Sequence, residues 1–203
     1  FGNSINIAQS SYFGTGGASF PKKINKGKYV GTLAFGAYKR YIFNEIGGYD
    51  EELIRNQDDE FNMRLIQNKG TIWMDPNIQS TYYPRSTLMK FFMQYLQYGF
   101  FKIRVMQKRR GFASFRHIIP LLFVLALFVS LALFLLSDIA FPIKLILSSY
   151  VFCLLVGTLN AFITSSQNPL SIMILPLSFF SMHFAYGLGS FFGIIYFVNK
   201  WKD

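Results

Sequence analysis

An α/β unit followed by an α-helical membrane region is the fold class this sequence predicts. Three observations predict it. First, charge is confined to one half of the chain. Of 203 residues carrying a net charge of +10, only Asp138, Lys144, His183, Lys200, Lys202 and Asp203 are acidic or basic after His117. Second, short apolar stretches alternate with helical patterns before that point, as in α/β units. Third, long uncharged runs follow it. Ile118 to Leu136 reads IIPLLFVLALFVSLALFLL, which as a helix spans roughly 30 Å of hydrocarbon.

The elements follow in order. Residues 1 to 20 are rich in Gly and Ser, and Phe13 to Phe20 reads as an exposed loop. It lacks the strand-to-helix setting and the Lys of a phosphate loop. Lys22, Lys23, Lys26 and Lys28 read as solvated. Tyr29 to Phe35 is a short strand pattern. A turn at Gly36 and Ala37 leads into a helix over Lys39 to Ile46, stopped by Gly47-Gly48. Asn56 is placed to cap the next helix, with Asp58, Asp59 and Glu60 in its first turn and an apolar stripe of Phe61, Leu65 and Ile66. Gly70 ends it. Thr71 to Met74 is a strand pattern, Asp75-Pro76-Asn77 a turn, and Ile78 to Tyr83 a further strand pattern.

From Ser86 to Lys108 aromatic residues alternate with Lys90, Gln94, Gln97, Lys102 and Arg104. That mixture suits a helix in the headgroup region, with Gly99 as a point where it divides. Three apolar runs complete the chain: 118 to 136, about 141 to 163, and about 169 to 198, the last interrupted by Pro176. They predict three or four membrane helices. The expected organisation is therefore 1–85, an α/β unit; 86–117, an interfacial amphipathic region; and 118–203, a transmembrane region. The first residue is Phe1 and no signal peptide precedes the polar part, so the expectation is the C-terminal part of a longer protein.

The basic balance does not point to nucleic acid. Lys102, Arg104, Lys108, Arg109, Arg110 and Arg116 crowd just before the first apolar run, and such residues hold that flank in the cytoplasm. The predicted location is the cytoplasmic membrane, with the polar unit on its cytoplasmic face. A basic C-terminus on the same side would require an even number of spans. Cys153 is the single cysteine, which excludes an intrachain disulfide; it reads as a small buried hydrophobe. His117 reads as an interface residue, and His183 as an intramembrane group hydrogen-bonded to a neighbouring helix.

The acidic run Asp58-Asp59-Glu60 carries the chemistry. Acids in a first helical turn are stabilised by the helix dipole, which accounts for two of the three. Glu60 and Arg64 stand in the i,i+4 relation of an ion pair. Asp58, beside the flexible Gly-Gly-Tyr-Asp turn, is left to face a cleft. A carboxylate there can take a proton from a hydroxyl, and neighbouring acids raise its pKa. A calcium loop is the local alternative, but the spacing does not match an EF-hand.

The stretch GTLAFGAYKRYIFNEIGGYDEELIRNQDDEFNMRL, with TIWMDPNIQSTYYPRSTL and QYLQYGFFK after it, resembles family 2 glycosyltransferases of GT-A fold, and among them the ExoA-like succinoglycan-synthesis type. The resemblance covers about residues 10 to 120. It implies that 1–85 is the acceptor-side part of a GT-A domain whose nucleotide-binding half lies upstream, so that this stretch alone is inactive. Asp58 falls on the family's catalytic base and Gln57 on its usual Glu. Gly36, Ala37, Gln57, Asp59, Arg85, Gln94, Gln97 and Tyr98 fall on the substrate-binding side, and Glu60 and Arg64 support the helix. The Gln-x-x-Arg-Trp of processive members reads here Gln94-Tyr95-Leu96-Gln97-Tyr98; Arg85 is placed to replace the missing guanidinium at a diphosphate, or to bind lipid headgroups. The resemblance also implies a divalent metal, Mg2+ or Mn2+, held by an upstream Asp-x-Asp that this sequence lacks. The implied activity is an inverting hexosyl transfer from a nucleotide sugar to a polyprenyl-linked glycan, in exopolysaccharide or cell-surface glycan synthesis. The alternative is a non-enzymatic membrane protein, part of a transporter or channel, with Asn160, His183 and Tyr186 lining a path.

Overall fold

The computed structural model describes residues 1–17, 25–111, 114–164 and 168–200. Lys22, Lys23, Trp201 and Lys202, and residues 18 to 20 of the expected loop, lie outside them. The architecture is mostly helical. In chain order it comprises α1 (Gly2–Ser10), α2 (Tyr12–Thr15), β1 (Lys28–Val30), α3 (Arg40–Ile46), α4 (Gln57–Gln67), β2 (Ile72–Met74), α5 (Leu88–Arg109), a 3-10 turn (Phe115–His117), α6 (Ile119–Ser137), α7 (Phe141–Thr164), α8 (Pro169–Phe197) and a final 3-10 turn (Val198–Lys200).

The expected α/β alternation is reduced, among the described residues, to one antiparallel pair. In it Tyr29 faces Trp73 and Val30 faces Ile72. The strand expected over Tyr29 to Phe35 ends at Val30, and Phe35 takes a left-handed φ of 58°. The strand expected over Ile78 to Tyr83 does not form. Ile78 and Tyr83 are exposed, so no neighbour pays the ordering cost of an extended segment. The start of the chain is a second correction. Residues 2–10 and 12–15 are helical, not a loop; Ile5 and Ala8 fall on one face of α1 and are buried beneath α8. Ser4 Oγ meets Ser178 Oγ at 2.8 Å. Ser11 caps α2 by accepting from the Gly14 N–H, and Gly16 closes it in the left-handed region.

The polar unit packs around Phe61, which is fully buried. The rings of Tyr38, Phe43 and Tyr49 lie 4.7, 5.1 and 5.0 Å from it. Arg64 stacks on the same ring at 5.2 Å and donates to the carbonyls of Ile46 and Gly48. It thereby fastens the Gly-Gly-Tyr-Asp turn to α4.

Helix α5 runs unbroken through Gly99. The glycine serves close approach instead of a break. A Cβ on Gly99 would stand 2.0 Å from the Tyr186 carbonyl oxygen, and one on Gly189 would stand 2.0 Å from that of Leu96. Small residues let two helix backbones meet in this way. Farther along, Gln107 donates to the Phe197 carbonyl. The two helices therefore run side by side in the same direction.

Among the described residues, three helices are long and apolar enough to cross a membrane: Phe115–Ser137, Phe141–Thr164 and Pro169–Lys200. The third run is one helix with Pro176 inside it. The three are not alike. The α6–α7 connection is exposed, with Leu136 and Phe141 both open, as are most residues of both helices. Half of the most apolar stretch of α8 is buried. Its N-terminal part lies on α1, its middle meets Pro120 and Val124 of α6 through Gly187, and Lys200 beyond its end binds Glu52 of the polar unit at 2.8 Å. Cys153 is exposed on α7, not buried. His183 does bond to neighbouring elements: Tyr150 Oη of α7 lies 3.0 Å from Nδ1 and the Phe13 carbonyl 3.1 Å from Nε2.

Candidate active site

The three consecutive acids separate, each toward a different partner. Glu60 turns inward and is buried. Its carboxylate meets Arg64 at 2.9 Å and Arg109 of α5 at 3.1 Å. Asp59 reaches sideways to α5 and pairs with Lys102. Asp58 accepts the Asp59 backbone N–H at 2.9 Å and faces open space. Asn56 does not cap the helix through its side chain. It sits in the left-handed region at φ 64°, where Asn is tolerated, and donates its amide to the Tyr98 carbonyl at 2.9 Å. Arg55 bonds Gln97 at 2.9 Å. The start of α4 is thus docked on α5 at four points, through Arg55, Asn56, Asp59 and Glu60, and Asp58 is the residue left over.

The space it faces is a cleft of about 830 Å³. One wall is β1 and the segment through Ala34, another is Asp58, Asp59 and Met63 of α4, and a third is Tyr98 and Lys102 of α5. Arg116 and His117, just before the first apolar helix, and Tyr186 of α8 complete it. The cleft therefore opens where the polar unit meets the membrane helices. Asn62 holds its upper edge. Its amide donates to Thr32 Oγ1 and the Leu33 carbonyl, while its Oδ1 accepts from Tyr38 Oη at 2.6 Å.

Burial pushes the Asp58 carboxyl above its ordinary value. The Asp59 N–H opposes this, the Asp59 charge adds to it, and Lys102 pulls it back. Asp59 moves the other way, because the charge and hydrogen bond of Lys102 overcome its burial. Tyr38 is pushed up to about 12, first by burial and then by Tyr49 and Asp58. A raised Asp58 beside a lowered Asp59 leaves one carboxylate poised to take a proton and one fixed as a counter-charge.

Of the residues singled out from sequence, Asp58, Asp59 and Tyr98 line the cleft. Gly36, Ala37, Gln57, Arg85, Gln94 and Gln97 do not. The segment that lines the cleft here is Gly31 to Ala34, just before the expected Gly36 and Ala37. Gln94 is buried and donates to Tyr98 Oη at 2.7 Å, so it positions Tyr98. Arg85 is exposed. Sequence reasoning missed Asn62, Lys102 and Arg116 as site residues. Lys102 carried a usable signal, a lysine on the apolar side of an amphipathic helix that needs an acid partner.

Among the described residues, no three His, Cys, Asp or Glu side chains gather as metal ligands. With Asp59 engaged by Lys102, the groups present do not fit a divalent-ion site.

Two relatives match the chain. A dolichyl N-acetyl-α-D-glucosaminyl phosphate 3-β-D-2,3-diacetamido-2,3-dideoxy-β-D-glucuronosyltransferase from Methanococcus voltae is 30% identical over 182 residues, which is 89% of this chain and 52% of that protein. The succinoglycan biosynthesis protein ExoA of Rhizobium meliloti (strain 1021) is 37% identical over 79 residues, 39% of this chain and 24% of that protein. The resemblance to ExoA-like family 2 glycosyltransferases is borne out. The chain spans about half the length of the first relative and a quarter of the second. No family model matches it. No solved structure matches it either.

Proposed function

We propose that this chain forms the acceptor side of a membrane-bound inverting glycosyltransferase of GT-A type that acts on a lipid-linked glycan. The observation that carries the reading is the placement of Asp58: a desolvated carboxylate with a raised pKa, in a cleft at the seam between polar unit and membrane helices. Asp58 takes the proton of an acceptor hydroxyl. The hydroxyl oxygen forms its bond to the anomeric carbon of the donor as the bond to the nucleoside diphosphate breaks. The electron pair of that bond leaves with the diphosphate. Attack from the face opposite the leaving group inverts the anomeric configuration. Lys102 holds Asp59 and tempers Asp58, Tyr98 offers the acceptor sugar an aromatic face, and the loop from Gly31 to Ala34 lines its approach. No step is assigned to a metal by residues of this chain.

The same placement supports a location at the cytoplasmic membrane with the cleft on the cytoplasmic side, where the basic residues of α5 lie. The test is the stereochemistry of transfer by the intact protein in membrane, with nucleotide-sugar donors and a lipid-linked acceptor. Proton NMR of the first product is expected to show an anomeric centre opposite to that of the donor. A retained configuration contradicts single displacement with Asp58 as base.

A further inference from the structure

A second cavity adjoins the cleft. It is smaller, about 240 Å³, and apolar, walled by Phe13 of α2, Tyr95 of α5, Ile119 and Pro120 of α6, and Met182 of α8. Arg116, His117 and Tyr186 line both cavities, so the two meet at these three side chains. Each brings unspent polarity. The Tyr186 hydroxyl and His117 Nδ1 are buried without a hydrogen-bond partner, and their rings stack 6.5 Å apart. Arg116 makes no ion pair among the described residues. Its stem lies against Gly16, where a Cβ would stand 3.0 Å from Arg116 Cβ. On the far side Ile119 is 64% exposed, which leaves that wall open toward lipid.

We infer that this junction seats the phosphate of a single-chain lipid phosphate, the carrier of the acceptor, with the first part of its hydrocarbon chain in the apolar cavity. The arrangement requires an amphiphile. Its chain must enter between α2, α6 and α8, its anion must meet Arg116 and the two orphaned polar groups, and whatever follows the phosphate must emerge beside Asp58. The volume falls below the about 300 Å³ at which drug-sized sites begin, so the cavity has room for one narrow chain and not for two. Buried polar groups without partners are costly, and a phosphate satisfies both while neutralising the guanidinium. The inference rests on the proposed transferase reading only for the glycan carried beyond the phosphate.

The experiment uses the intact protein in nanodiscs with a polyprenyl phosphate bearing a photoreactive group in its first isoprene unit. Cross-links are expected within residues 114–120 and 182–186. Arg116→Gln and Ile119→Trp are each expected to lower labelling about tenfold, the loss of one charge-assisted hydrogen bond or of the chain's path. The exposure of Ile119 makes its replacement compatible with folding, and Ile163→Trp on the exposed face of α7 serves as the control with unchanged labelling. Excess phosphatidylglycerol and inorganic phosphate are expected not to compete. Unchanged labelling in both site variants overturns the inference, as does equal competition by phosphatidylglycerol or by inorganic phosphate. Asp58→Asn separates the two readings: it is expected to label normally while losing transfer. If it keeps transfer while labelling follows Arg116 and Ile119, the catalytic assignment falls and the lipid site stands.

Discussion

Lys102 tunes the chemistry of Asp58, although no direct bond joins them. As the proposed base, Asp58 acts only when ionised, so activity is expected to be lost as pH falls through its pKa, which burial raises above its ordinary value. Lys102 lowers the Asp58 pKa and Asp59 raises it. In Lys102→Met the acid limb of kcat/KM is therefore expected to move to higher pH. In Lys102→Met combined with Asp59→Asn it should return toward the parent position, since both neighbouring charges are gone. The double variant also avoids a buried Asp59 without its partner, which costs about 3–5 kcal/mol. A limb that moves down in the single variant contradicts the geometry. The Glu60–Arg64 pair was legible in the sequence because i,i+4 spacing fixes it. The partner of Asp59 was not, because Lys102 is 43 residues away and only the docking of α4 on α5 brings it near.

At the scale of elements, the seam between α5 and α8 positions the site. Tyr98 and Lys102 stand on the same helix as Gly99, and Tyr186 belongs to α8, so the cleft walls depend on how closely these backbones approach. Gly99→Leu is expected to destabilise the protein by about 2–3 kcal/mol or more, because backbone sits where the new side chain must go. A melting temperature in detergent checks this, and an unchanged value would contradict the seam. The sequence revealed the helices well: Gly47-Gly48, the acidic first turn and the uncharged runs carry local signals. It misjudged the strands and the first helix. Strand patterns at 31 to 35 and 78 to 83 lacked a partner to pair with. The small residues of α1 are helical because α8 covers Ile5 and Ala8, a tertiary fact that composition does not hold.

At the scale of the molecule, Glu52 ties the polar unit to both α5 and the end of α8. Arg104 Nε, Lys108 and Lys200 lie 3.1, 2.7 and 2.8 Å from its carboxylate. Burial pushes this carboxyl up, but the hydrogen bonds of Lys108, Lys200 and Arg104 outweigh it and bring it to about 2. The folded pKa is thus below the ordinary 4.5, so the stabilisation is complete above pH 4.5 and is lost as pH falls toward 2. Glu52→Gln is expected to lower the melting temperature at pH 7 and to remove that part of the acid dependence. An unchanged melting temperature and acid profile would contradict it. The same contact bears on topology. Lys200 beside Glu52 puts the end of α8 on the side of the polar unit, which requires an even number of crossings. We therefore expect α6 and α7 to cross, with α8 lying across their base. Cysteines at Ser137 and Asn199 are then labelled by an impermeant thiol reagent from opposite sides of the membrane, and labelling from one side contradicts it. All of these features converge on Asp58 as the proposed base of a sugar transfer. Single-turnover transfer by Asp58→Asn in the intact protein tests it most directly, with donor binding measured in parallel. Transfer is expected to fall by at least about 10²- to 10⁴-fold with donor affinity unchanged; near-normal transfer would rule Asp58 out as the base.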